Sequence, residues 1–155
     1  MESSRDAYID GLKLLARREL SESQVRQRLA RKGHGEDAID QAVTRLRAEH
    51  AIDDARVAAA IARTETSTKR RGKLRVRMQI ERAGIARETA NVAVDEVFDA
   101  IDDDQLIEAS LAKRLLGRET IADDREFERL YRYLAAQGFE GDHIMKVLTA
   151  RRRRS

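Results

Sequence analysis

Cysteine, proline and tryptophan are all absent from these 155 residues. Without cysteine there is no disulfide framework and no thiolate metal site, a composition suited to a reducing compartment. Without proline no helix is broken from within. Aromatic side chains are scarce, three tyrosines and three phenylalanines, so thin cores are expected in place of one large one. No apolar run approaches the roughly 20 residues that span a bilayer. The first ten residues also lack the apolar block of a signal peptide. The expectation is a soluble, cytoplasmic protein.

What remains is rich in charge and in helix formers. Charged residues make up 38% of the chain, with 31 Lys and Arg against 28 Asp and Glu. The net charge of +3 says less than its distribution. Divided after Asp53 and Ile101, the first part balances ten bases with ten acids. The middle part has ten and seven, the last eleven of each. The excess lies in the middle, a segment suited to phosphates or an acidic protein surface.

The densest basic stretch sits there. Lys69, Arg70, Arg71, Lys73, Arg75 and Arg77 crowd into nine residues with no acid among them, and Arg82 follows. Within it Leu74, Val76, Met78 and Ile80 alternate, which alone reads as a half-buried strand. A repeat overrides that reading. Aligned on glycines, Val25, Leu29 and Gly33 match Val76, Ile80 and Gly84, then Leu130, Leu134 and Gly138. Ile39 and Val43 match Ala90 and Val94, then Ile144 and Leu148. The glycines lie 51 and 54 residues apart, and repeats take precedence over local period.

Each unit reads as three helices. The first helices are expected near residues 8–19, 55–66 and 105–116, with Leu12 and Leu15 facing inward in the first. The second helices close on the three glycines, which supply the left-handed residue of a C-terminal cap. Ser21 with Gln24, and Asp123 with Glu126, have capping-box spacing. Asp53 or Asp54 caps the fourth helix. The extra apolar residues Leu74 and Met78 predict that the fifth helix is covered on a second side. The fold class is therefore all-α, three tandem three-helix repeats in an elongated, curved array. The expected units are 1–53, 54–101 and 102–150, followed by a basic tail at 151–155.

Catalytic chemistry is not written here. His34, His50 and His143 fall in different units, and no glycine-rich phosphate loop or nucleophile motif is present. The acidic groups Asp53–Asp54, Asp102–Asp104 and Asp123–Asp124 precede expected helices, where carboxylates cap free N–H groups. No enzymatic activity, cofactor or metal is expected. The basic run is different, because like charges repel and a polyanionic partner explains them. Arg151, Arg152, Arg153 and Arg154 at the tail add nonspecific attraction. Phe127 and Tyr131 read as core and Tyr133 as a rim position.

The chain resembles the RecX family of bacterial regulators of the RecA recombinase. The resemblance rests on residues 15–21 (LARRELS), 28–33 (RLARKG), 52–56 (IDDAR), 72–75 (GKLR), Gly84-Ile85 and 134–139 (LAAQGF). It extends from about Ala7 to Leu148. Val57 stands where the family has an aromatic, and His34 follows the glycine where an apolar residue is usual; both changes concern packing. The resemblance implies three tandem three-helix repeats and binding to the RecA–single-stranded-DNA filament. It further implies inhibition of recombinase and ATPase activity, in recombination, DNA repair and the SOS response.

On that reading Lys69, Arg70, Arg71, Lys73, Arg75, Arg77, Arg82 and Arg151–Arg154 face DNA phosphate or an acidic part of the recombinase, and the chain acts as a monomer. The competing reading is a stand-alone helix-turn-helix DNA-binding module. Its reading helices would open on Glu36-Asp37, Arg87-Glu88 and Asp142-His143, two of them poor for a negatively charged groove. A purely structural scaffold would leave the basic run as solubilising surface.

Overall fold

Three separate apolar cores, each enclosed by three consecutive helices, make up the molecule. The structure, a computed structural model, describes residues 3–152. The helices are α1 (Ser4–Arg17), α2 (Glu22–Arg31), α3 (Glu36–Ala48), α4 (Asp54–Ser67), α5 (Lys73–Arg82), α6 (Arg87–Asp99), α7 (Asp103–Leu115), α8 (Asp124–Ala136) and α9 (Gly141–Ala150). No strand occurs among the described residues; a lone bridge joins Ile121 and Arg152. The principal helix packing falls within the triples α1–α3, α4–α6 and α7–α9. No helix among the described residues is long and apolar enough to cross a membrane.

The repeat alignment fixes the cores. Val25, Leu29, Ile39 and Val43 are buried in the first triple; Val76, Ile80, Ala90 and Val94 in the second; Leu130, Leu134, Ile144 and Leu148 in the third. Leu106 packs against both the second and the third core. Gly33, Gly84 and Gly138 all take positive φ after their helices. The alternating part of the basic stretch, from Lys73 on, is helix α5, as the repeat requires and its own alternation does not.

Caps explain where the helices start. Ser21 and Gln24 form the reciprocal capping box. Asp53 caps α4 by accepting from the Arg56 N–H, while Asp54 accepts from the Glu22 N–H of α2 at 2.9 Å. Asp123 caps α8, but Glu126 does not return the bond to it. Glu126 instead accepts from the Ala122 N–H and from both terminal nitrogens of Arg118.

Two packing expectations are corrected. In α1 the fully buried positions are Ala7 and Gly11; Leu15 packs half-buried against the core as expected, but Leu12 is 39% exposed. A Cβ on Gly11 would stand 2.7 Å from Leu46 Cδ1, so a glycine lets α1 lie close on α3 and the larger residues fall to the flanks. In α5, Leu74 and Met78 are 42% and 38% exposed. The third unit reaches the first turn of α5 and leaves that flank open.

The joints between units repeat as the cores do. At the first, Ser21 Oγ donates to the Ala83 carbonyl at 2.5 Å, and a Cβ on Gly84 would collide with Ser23. At the second, Gly72 N–H donates to the Gln137 carbonyl at 2.8 Å, and Leu74 N–H to that of Gly138 at 3.0 Å. A Cβ on Gly138 would collide with Arg75. Ser21 and Gly72 are the N-caps of α2 and α5; Ala83 and Gln137 each precede a turn glycine. Each N-cap thus donates to the carbonyl before the next unit's glycine. Gly33, in the first unit and with no preceding unit among the described residues to meet it, has open space where a Cβ would stand. In the third unit helix α8 is 13 residues long against 10 for α2 and α5.

Candidate partner-binding surface

The basic run starts in the turn between α4 and α5. Arg71 N–H bonds the Glu65 carbonyl at 2.9 Å to close this turn. Closure forces Arg70 into the left-handed region at φ 53°, a conformation that costs an ordinary residue about 1 kcal/mol.

One group of cations is built into the protein. Lys69 Nζ lies 3.1 Å from Oε1 of Glu65, a carboxylate buried under the turn. Arg71 has Nε and Nη1 buried without a hydrogen-bond partner, and Glu65 Oε2 is in the same state. Arg75 Nη1 donates to the Ala136 carbonyl at 2.9 Å, across the joint. Lys73 forms an ion pair with Asp95 at 3.4 Å, both side chains well exposed, an arrangement worth about 0–1 kcal/mol. Lys69, Lys73 and Arg75 thus have partners within the fold, while the Arg71 guanidinium is buried without one.

The other group is unpartnered, with Arg82 exposed and Arg70 and Arg77 half-buried. Arg77 and Arg82 on α5 make no ion pair or hydrogen bond through their guanidinium groups, and Arg70 is likewise free. Beside them stand the exposed Leu74 and Met78. Arg151 and Arg152 belong with the first group. Arg151 bonds Glu108 at 2.5 Å and the Glu119 carbonyl at 3.2 Å. Arg152 pairs with Asp124 at 3.3 Å and stacks 4.4 Å from the Phe127 ring centre. They clasp the third unit and do not trail from it as a loose basic tail. Arg153 and Arg154 lie outside the described residues.

The structure adds a feature that the one-dimensional pattern hides. A groove of about 580 Å³ opens between α4, α6 and α7. Arg63 and Arg70 line it from the α4 side, and Val97, Ile101, Leu106 and Ala109 from α6, the following turn and α7. Arg63 is exposed and its guanidinium has no partner. In the sequence it stands six residues before the basic run, separated by Glu65 and four hydroxyl residues, so no charge cluster marked it. Asp102, also at the groove, is engaged in capping α7, accepting from the N–H groups of Asp104 and Gln105.

The acidic clusters serve as caps and ion pairs. Among the described residues no three His, Asp or Glu side chains are placed to hold a metal ion. Asp104 bonds Lys146 Nζ at 2.5 Å and His143 Nδ1 at 3.2 Å. These two partners, Lys146 first, hold its carboxyl below the ordinary aspartate range. Its neighbour Asp103 moves the other way, raised by burial. Asp10 is lowered by its hydrogen bond with His34, whose Nε2 lies 2.6 Å away. Tyr133 lies under Arg114, whose guanidinium carbon is 3.8 Å from the ring centre, a rim position consistent with the sequence expectation.

Residues 7–46 match the family model described as the first three-helix domain of RecX, and residues 53–94 match the second. Similar curated proteins are named Regulatory protein RecX. The one from Halorhodospira halophila is 30% identical over 150 residues, covering 96% of this chain and 88% of that protein. Another from Acidithiobacillus ferrooxidans is 34% identical over 143 residues, with 92% and 89% covered. A third from Geobacillus kaustophilus is 33% identical over 145 residues. There the match takes in 93% of this chain but spans only 53% of the relative. The crystal structure of RecX from Lactobacillus salivarius superposes with a TM-score of 0.80 at 22% identity, covering 95% of both chains, which shows the same fold.

Proposed function

This chain belongs to the RecX family of regulatory proteins, and from that premise we propose that it binds the RecA–single-stranded-DNA filament and inhibits the recombinase and its ATPase. The observation that carries the proposal is the separation of cations in the middle unit. Arg70, Arg77 and Arg82 are left unpaired while Lys69, Lys73 and Arg75 find partners within the fold. Like charges along one unit without internal partners are favoured by an anionic partner.

The tandem architecture suits a filament. Three small units joined through hydrogen bonds at their glycine turns present several weak contacts at fixed separations, and joined contacts gain effective concentration over separate ones. The chain acts by binding, as a monomer, with the repeat units at 1–53, 54–101 and 102–150 each offering a surface. The test is RecA-dependent ATP hydrolysis on single-stranded DNA, titrated with this protein. Hydrolysis falling with added protein is the expected result; an unchanged rate at saturation overturns the proposal.

A further inference from the structure

We propose that the groove between α4, α6 and α7 is a docking site for an acidic, apolar segment of a protein partner. A carboxylate of that segment meets Arg63 and Arg70, and an apolar side chain covers Val97, Ile101 and Leu106. Taking the recombinase subunit as the protein that bears the segment rests on the function proposed above.

Charge and lining together choose this occupant. Two guanidinium groups face a space of about 580 Å³ with no carboxylate paired to either. A guanidinium fork accepts a carboxylate in bidentate fashion. The same two groups suit a phosphodiester, but the remaining lining does not. Val97, Ile101, Leu106 and Ala109 are aliphatic and half-buried. The groove contains no aromatic ring on which a base would stack, and stacking is the main apolar contact of single-stranded nucleic acid. An aliphatic floor beside two cations fits a leucine- or valine-bearing acidic peptide. Asp102 at the edge sets polarity, since it repels an anion placed at the α7 end and leaves the α4 end favoured.

The position also matters. The groove takes its lining from both the second and the third unit, and Leu106 touches both cores. A segment seated there reads the angle between two units.

The experiment uses the full chain with two substitutions at exposed positions, Arg63→Glu to reverse the charge and Gln105→Trp to fill the groove. Binding is measured to RecA filaments on single-stranded DNA and, separately, to the same DNA without RecA. Each variant is expected to lose at least about tenfold in affinity for the filament, with wild-type affinity for bare DNA and an unchanged melting temperature. Wild-type filament affinity in both variants overturns the groove assignment while leaving the proposed function standing. An equal loss on bare DNA also overturns it, since the occupant is then nucleic acid. A wild-type chain that neither binds nor inhibits the filament removes the function and this inference with it.

Discussion

Asp103 and Asp104 are neighbours in one helical turn with opposite titration behaviour, one set by burial and the other by partners. Asp104 is lowered by Lys146 and His143, whereas burial raises Asp103. A carboxyl lowered in the folded state stabilises the protein above its unfolded value, about 3.9 for aspartate. That contribution disappears as pH falls through the folded value. Asp104→Asn is therefore expected to lower the melting temperature near neutral pH, with the difference from wild type closing below about pH 4. Asp103, raised instead, opposes folding near neutrality and ceases to do so on protonation. Melting curves across this range check the sign, and a difference that stays constant with pH contradicts it. The aliphatic core gives a larger effect at one residue. Ile80 is fully buried in the second core, and Ile80→Asp is expected to cost about 4 kcal/mol or more by stranding a charge in it. Chemical denaturation followed by circular dichroism measures that loss.

At the scale of elements, the glycine turns do two jobs, and the array contains its own control. Gly33 and Gly138 have nearly the same positive φ, 98° and 100°, but only Gly138 has a neighbouring unit where its Cβ would stand. Both Gly33→Ala and Gly138→Ala should lose about 1–2 kcal/mol from backbone strain. Gly138→Ala should lose more, because Arg75 and the start of α5 must move. Hydrogen exchange separates the terms: the amides of Gly72 and Leu74, which donate to Gln137 and Gly138, should lose protection only in the Gly138 variant. Equal protection in both variants would mean that the joint tolerates a methyl group. The turns and helices were legible in the sequence because caps and i, i+4 pairs are local, and three aligned copies corrected the misleading alternation of Leu74 to Ile80. The α1 face was misread because close packing on α3 selects Gly11 over Leu12. Coverage of Leu74 and Met78 was misread because apolar character marks a face without naming what meets it. The groove was not legible at all, since Arg63, Ile101 and Ala109 come from separate elements of two units.

For the whole molecule, a run of six positive charges in the chain becomes an unequal set in the folded protein. Arg75 donates across the joint and the Arg71 guanidinium is buried, so neutralising them together with Arg77 would mix a folding defect with a binding defect. Arg77 and Arg82, both on α5 and both unpaired, allow a cleaner trial. Arg77→Ala with Arg82→Ala should leave the melting temperature close to wild type. If these groups meet phosphate, each lost contact reduces the slope of log affinity against log salt by about 0.7 on single-stranded DNA. The double variant should then approach a reduction of about 1.4, with the weaker binding most evident at low salt, where attraction between unpaired charges is screened least. If the slope is unchanged but filament inhibition falls, these arginines meet carboxylates of the protein partner and the DNA lies elsewhere. If neither changes, the unpaired cations of α5 only keep the surface solvated, and filament recognition must come from the flanking units and the groove. The joints hold the three units in register, so the salt slope of the whole chain reports contacts made together and not one helix acting alone.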